Sequence, residues 1–101
     1  CYTGTIEQAQ RFMEKGLYIG FNGLIFKNVP ALPNPEEIIQ SIPLDHILIE
    51  TDSPYFARPP IERNEPINVC LVAEEIARIK DISLEELARA TTQNAKSLFA
   101  I

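Results

Sequence analysis

The chain has no tryptophan, one histidine, two cysteines and four glycines in 101 residues. Two cysteines, Cys1 and Cys70, exclude a disulfide scaffold. Cys70 falls in an apolar helical stretch and reads as a buried free thiol, which points to a reducing compartment. A single histidine, His46, and the lack of any Cys-x-x-Cys pair exclude a complete metal site made from these residues alone. No apolar run approaches the roughly 18 residues of a membrane span. Walker-type, Gly-x-Gly-x-x-Gly and Gly-x-Ser-x-Gly signatures are all missing. Cations are also few: nine Lys and Arg against fourteen Asp and Glu leave a net charge of −5. That excludes a duplex-coating protein held by counterion release. It leaves room for a nuclease, because bound metal ions supply positive charge locally.

Hydrophobic residues make up 46% and charged residues 23%, the usage of an ordinary globular domain. The length allows one small domain. The chain opens on Cys1 rather than methionine, which is expected of a piece of a longer protein.

Thr5 is placed to cap a first helix with an apolar stripe at Ile6, Ala9, Phe12 and Met13, stopped by Gly16. Leu17–Phe21 reads as a strand, with Asn22-Gly23 turning the chain behind it. Lys27 to Asn34 is a proline-bearing loop. Asn34-Pro35-Glu36-Glu37 opens a short helix ending near Ser41. His46–Glu50 is a second strand whose apolar centre suits burial on both faces. Thr51 to Pro66 holds four prolines, Pro54, Pro59, Pro60 and Pro66, and forms a long stiffened loop. A loop of that length in a compact domain is usually functional or disordered, and its aromatic and charged residues favour function. Val69, Val72, Ala73 and Ile76 mark a helix over Ile67–Lys80. Ser83 and Glu86 form a capping box for another helix carrying Leu84, Leu87 and Ala88, and Asn94–Phe99 forms a terminal turn or helix. Strands alternating with helices predict a parallel sheet with right-handed crossovers. Two or three strands close no barrel, so the chain reads as a slice of an α/β fold.

Chemistry concentrates at Glu50-Thr51-Asp52-Ser53-Pro54-Tyr55. Asp52 lies just past the carboxyl end of an apolar strand, the rim that carries catalysis in α/β barrels. A carboxylate there binds a cation or takes a proton from water; the competing reading is a side chain that caps the following turn. Glu50 points the same way as Asp52 if the strand stays regular, and structural pairing with a cation suits it best. His46 sits at the opposite end of its strand, roughly 20 Å from Asp52 if extended, and is a poor co-ligand. Arg58 and Arg63 offer forks for phosphate oxygens, against the reading of ordinary surface arginines. Asn64 and Glu65 also fit a plain helix start, with Asn64 as cap.

Glu50-Thr51-Asp52-Ser53-Pro54-Tyr55 followed by Arg63-Asn64-Glu65-Pro66 resembles the TatD family of metal-dependent deoxyribonucleases, within the amidohydrolase-like TIM barrels. Cys1-Tyr2-Thr3-Gly4-Thr5, Gly16–Gly23 and Thr91-Thr92-Gln93-Asn94 with Leu98-Phe99 resemble further segments of the family, in the same order. The glycine often found before the family's Asn-Glu-Pro segment is missing here. The resemblance implies an α/β fold that is the C-terminal portion of a TIM (β/α)8 barrel, with residues 1–101 forming the C-terminal part of a single hydrolase domain. It implies that Asp52 is the catalytic and metal-linked acid, and that Glu50, Arg63, Asn64 and Glu65 support it and the substrate loop. The remaining ligands, histidines and a glutamate, lie outside the chain, one of the histidines immediately before Cys1. The implied cofactor is a divalent metal ion, magnesium first, with zinc or manganese as alternatives. The implied partners are a DNA substrate and the missing N-terminal part of the same barrel, with no membrane. The expected function is hydrolysis of DNA phosphodiesters, from a strand end, by the parent protein in the cytoplasm or nucleus, the fragment itself being inactive. The alternatives are a related enzyme acting on a small ester or lactone, and a non-catalytic interaction module.

Overall fold

A computed structural model describes residues 1–101. The order is α1 (Ile6–Glu14), β1 (Ile19–Phe21), a 3₁₀ turn (Gly23–Phe26), α2 (Pro35–Ser41), a 3₁₀ turn (Leu44–His46), β2 (Ile47–Ile49), a 3₁₀ turn (Pro66–Asn68), α3 (Val69–Lys80) and α4 (Leu84–Phe99). Local chemistry sets most of these limits. Thr5 and Gln8 form a reciprocal capping box at the start of α1. At its end Gly16 adopts φ +80. There the Gly16 N–H donates to the Met13 carbonyl and the Leu17 N–H to that of Phe12, a Schellman closure that needs the left-handed glycine. Asn34 caps α2 by accepting from the Glu36 N–H at 2.9 Å, with Pro35 in the first turn.

β1 and β2 are parallel neighbours in the register Ile19↔Ile47, Gly20↔Leu48 and Phe21↔Ile49. Pairing continues one step, since the Glu50 N–H donates to the Phe21 carbonyl at 2.9 Å. One face of this sheet sends Ile19, Phe21 and Ile47 into a core of twelve residues with Ala9 and the inner stripes of α2, α3 and α4. Each fully buried isoleucine or leucine there contributes about 1.5–3 kcal/mol. By strand alternation Gly20, Leu48 and Glu50 occupy the other face. Gly20, Leu48 and Glu50 are all partly exposed. α4 is anchored by buried Asn94, whose Nδ2 donates to the carbonyls of Leu44 (2.9 Å) and Ile47 (2.8 Å). The Thr91 hydroxyl turns back to the Leu87 carbonyl at 3.0 Å.

Several expectations need correction. Both strands are shorter than the apolar runs suggest, because the chain before Ile47 coils into a 3₁₀ turn and Leu17 and Tyr18 precede the first pairing. Cys70 is exposed. It shares a side of α3 with Ala73 and Ala77 but stands in the first turn, before the buried stripe begins at Val72. Phe12 is largely exposed, its ring edge-on to that of Tyr2 at 6.4 Å. Ser83 accepts from the Glu86 N–H at 3.0 Å, but the Glu86 side chain returns no bond, so the capping box is half-formed. Asn64 does not cap α3: a 3₁₀ turn with Glu65 at its head comes first, and the Asn64 side chain is used elsewhere. Residues 84–99 form one continuous helix.

Candidate active site

β2 ends at Ile49, and the next residues leave the sheet at its carboxyl end. Asp52 takes a left-handed backbone, φ 57, and its carbonyl accepts from the Tyr55 N–H at 2.9 Å, closing a tight turn. The turn is capped by Thr51. Its Oγ1 accepts from the Ser53 N–H at 3.2 Å and from the Ser53 hydroxyl at 2.8 Å. Asp52 therefore has no capping work to do. Its carboxylate is exposed and joins none of the side-chain hydrogen bonds or ion pairs of the chain.

The turn is held from behind by Asn64, only 5% exposed. Its Nδ2 donates to the carbonyls of Thr51 (3.0 Å) and Tyr55 (2.9 Å), one on each side of Asp52. Its Oδ1 accepts from the Glu65 N–H (3.0 Å) and the Asn68 Nδ2 (3.1 Å), and its own N–H donates to the Pro54 carbonyl at 3.1 Å. The amide thus fills both donor and both acceptor places, and ties the turn to the start of α3. A second support comes from the residues just after β1. Phe56 is also left-handed, φ 56, and its carbonyl lies against buried Gly23, where a Cβ would overlap the carbonyl oxygen. Left-handed aspartate is common enough, but left-handed phenylalanine costs on the order of 1–3 kcal/mol and persists only where its surroundings hold it.

The strand alternation that would align Glu50 with Asp52 does not reach Asp52, whose own backbone is left-handed. Glu50 Oε1 lies 2.8 Å from the Cys1 nitrogen, and the carboxylate passes 3.6 Å from the position of a Cβ on Gly20. Asn22, at the end of β1, is fully buried; its Oδ1 accepts from the Leu24 N–H at 2.8 Å, while its Nδ2 has no partner. Arg63 and Glu65 are exposed with no side-chain hydrogen bond, and Arg58 lies over the Phe26 ring at 5.2 Å. His46 contacts Asp45 at 2.9 Å and faces Tyr18, at the opposite end of β2. No three His, Cys, Asp or Glu side chains converge on one point. The donor set offered here is one free carboxylate, which suits a single ligand of a shared site and not a complete one.

Thr51, Gly23 and Asn22 do not stand out as site residues in the sequence. The Thr-x-Ser spacing around Asp52 is the available signal for Thr51. Nothing local announces the approach of Phe56 to Gly23.

A sequence profile of the TatD related DNase family matches residues 1–100. The chain is 44% identical to the metal-dependent hydrolase YabD of Bacillus subtilis over its whole length, covering 40% of that protein. It is 36% identical to the 3'-5' ssDNA/RNA exonuclease TatD of Citrobacter rodentium, covering 100% of this chain and 40% of that protein. The crystal structure of YJJV, a TatD homologue from Escherichia coli K12, superposes with a TM-score of 0.86 at 27% identity, over 99% of this chain and 39% of that one. The chain thus folds as an α/β portion of the TIM-barrel architecture of those structures and spans about 40% of the length of the relatives it matches.

Proposed function

This chain belongs to the TatD-related DNase family, and from that premise we propose that the protein it forms part of is a metal-dependent hydrolase of phosphodiester bonds in DNA, working from a strand end. Residues 1–101 are read as the C-terminal part of its single hydrolase domain. One observation carries the assignment of the site: the Asp52 carboxylate is held out at the carboxyl end of the sheet by a turn it does not itself stabilise. A side chain that caps its own turn would be spoken for, and this one is free.

Asp52 would hold a divalent cation, magnesium first with zinc or manganese as alternatives, together with ligands contributed from outside residues 1–101. A bound divalent cation supplies Lewis acidity toward a phosphoryl oxygen and makes a water molecule a better nucleophile. Asp52 contributes negative charge to hold that cation and an oxygen that accepts the proton of the attacking water. Asn64 and Thr51 fix where that oxygen stands. Arg63 and Glu65, exposed on the same loop, belong to the substrate side. His46 takes no part. No helix of the chain is long and apolar enough to cross a membrane, and two free cysteines, one of them exposed, support a reducing, cytoplasmic setting.

The test is hydrolysis of end-labelled single-stranded DNA by the full-length protein with magnesium and with a chelator, beside a small ester and a lactone. Metal-dependent release of nucleotides supports the reading. Turnover of the ester or lactone with intact DNA would replace it.

A further inference from the structure

Two loops leave the carboxyl end of the sheet, one after β1 and one after β2. The first is set by Asn22, which accepts from the Leu24 N–H at 2.8 Å and starts the 3₁₀ turn Gly23–Phe26. The second carries Asp52 and, four residues on, the left-handed Phe56. No hydrogen bond joins the two loops. They meet through contacts of another kind. The Phe56 carbonyl lies against Gly23, where a Cβ would overlap it. Lys27 Nζ of the first loop stands 6.0 Å from the centre of the Phe56 ring in the second. The Arg58 guanidinium of the second stands 5.2 Å from the centre of the Phe26 ring in the first. Each loop thus gives one ring and one cation to the other.

Both separations are within reach of cation–π attraction, the arginine's being the better of the two. The chain has fourteen acidic side chains, and Arg78 and Arg89 pair with glutamates, yet Lys27 and Arg58 form no ion pair. Their partners are the rings. A left-handed phenylalanine persists only where its surroundings hold it, and these contacts supply that hold. Asn64 grips the Asp52 turn from behind, and the exchanged pairs grip the same loop from the side of β1.

We infer that Phe26, Lys27, Phe56 and Arg58 form a clasp that positions Asp52, by locking the loop that carries it to the loop after β1. The inference rests on the metal-dependent reading above and adds positioning residues to it. The clasp acts on the metal only through the place it gives Asp52. An exposed cation–π pair is worth about two- to fivefold in an equilibrium, which bounds what one broken pair costs.

The experiment uses the full-length protein with Arg58→Met, Phe26→Leu, the two combined, Arg58→Lys and Phe26→Tyr. Magnesium binding is measured by calorimetry without DNA. Hydrolysis of an oligonucleotide at saturating magnesium and a thermal melt are measured beside it. Arg58→Met and Phe26→Leu are each expected to weaken magnesium binding and lower kcat by about two- to fivefold, with KM for DNA little changed. The double variant falls no further than either single, because either change already breaks the pair. Arg58→Lys and Phe26→Tyr keep a cation and a ring, and recover most of the loss. A rise in KM with Arg58→Met that Phe26→Leu does not share would make Arg58 a phosphate contact and overturn the inference. Unchanged magnesium binding and kcat would overturn it too, as would losses that multiply in the double variant. So would lowered melting with binding and kcat per folded molecule retained, the mark of a purely structural contact. In each of these cases the unmutated protein still cuts DNA and the nuclease reading stands. An unmutated protein that neither binds magnesium nor cuts DNA would remove both.

Discussion

Removing the Asn64 amide is the most informative perturbation of the site that leaves Asp52 in place. Asn64→Ala deletes four side-chain hydrogen bonds, to the carbonyls of Thr51 and Tyr55 and from the Glu65 N–H and Asn68 Nδ2. At about 1 kcal/mol net per neutral bond the ceiling is roughly 4 kcal/mol. Tyr55 and Glu65 are exposed, so water replaces part of the loss, and about 2–3 kcal/mol is expected. In a barrel of about 250 residues that lowers the melting temperature by roughly 5–10 °C. The effect on rate is of similar size to the effect on stability. With the turn released, a displacement of Asp52 by about 1 Å costs on the order of 100-fold in kcat. Asn64→Asp separates the two roles: it keeps the acceptors for Glu65 and Asn68 but sets a carboxylate oxygen against the two carbonyls, so the rate falls as far. Melting curves and steady-state DNA hydrolysis of the full-length variants check this. An Asn64→Ala protein with unaltered melting and kcat would refute the claim that this amide positions Asp52.

Gly23→Ala places a methyl group on the Phe56 carbonyl, and a lowered melting temperature together with a reduced rate is expected, since the loop must move. Asn94→Ala leaves the carbonyls of Leu44 and Ile47 without their side-chain donor. It is expected to cost about 1–3 kcal/mol in denaturant titrations with the rate per folded molecule retained. His46→Ala is expected to change hydrolysis less than about twofold, the effect of a surface substitution away from the chemistry; a large loss would place His46 in the site after all. Burial lowers the pKa of Lys80. The unfolded chain therefore keeps that proton to higher pH than the folded one, and stability rises with pH between the lowered value and the ordinary one. Lys80→Met should abolish that rise in melts taken from about pH 8 to about pH 11.

Features governed by neighbours in the chain were legible in the sequence. The Thr5 cap, the Gly16 stop, the Asn34-Pro35 start and the parallel pairing through a helical crossover all follow from local chemistry or from one topological rule. What depended on a distant partner was not. Asn64 looked like a helix cap because the residues after it are helical, whereas its amide is drawn to carbonyls nine and thirteen positions away. Cys70 looked buried because its segment is apolar, though its own side of the first turn of α3 is exposed. Glu50 was expected to align with Asp52 only if the strand stayed regular, and Asp52 takes a left-handed backbone instead. Asp52 itself stood out from its place after an apolar strand. That its carboxylate is free, with Thr51 doing the capping, is visible only in three dimensions.

The most direct measurement is DNA hydrolysis by the full-length Asp52→Asn protein with magnesium, beside its thermal melt. The substitution keeps the shape and removes the charge and the basic oxygen, and no hydrogen bond of the turn depends on that side chain. Loss of about 100-fold or more in kcat with an unshifted melting temperature is the expected result. Near-normal turnover would contradict the assignment of Asp52 as the metal-linked acid, and a fallen melting temperature with proportionate loss of activity would return it to the turn.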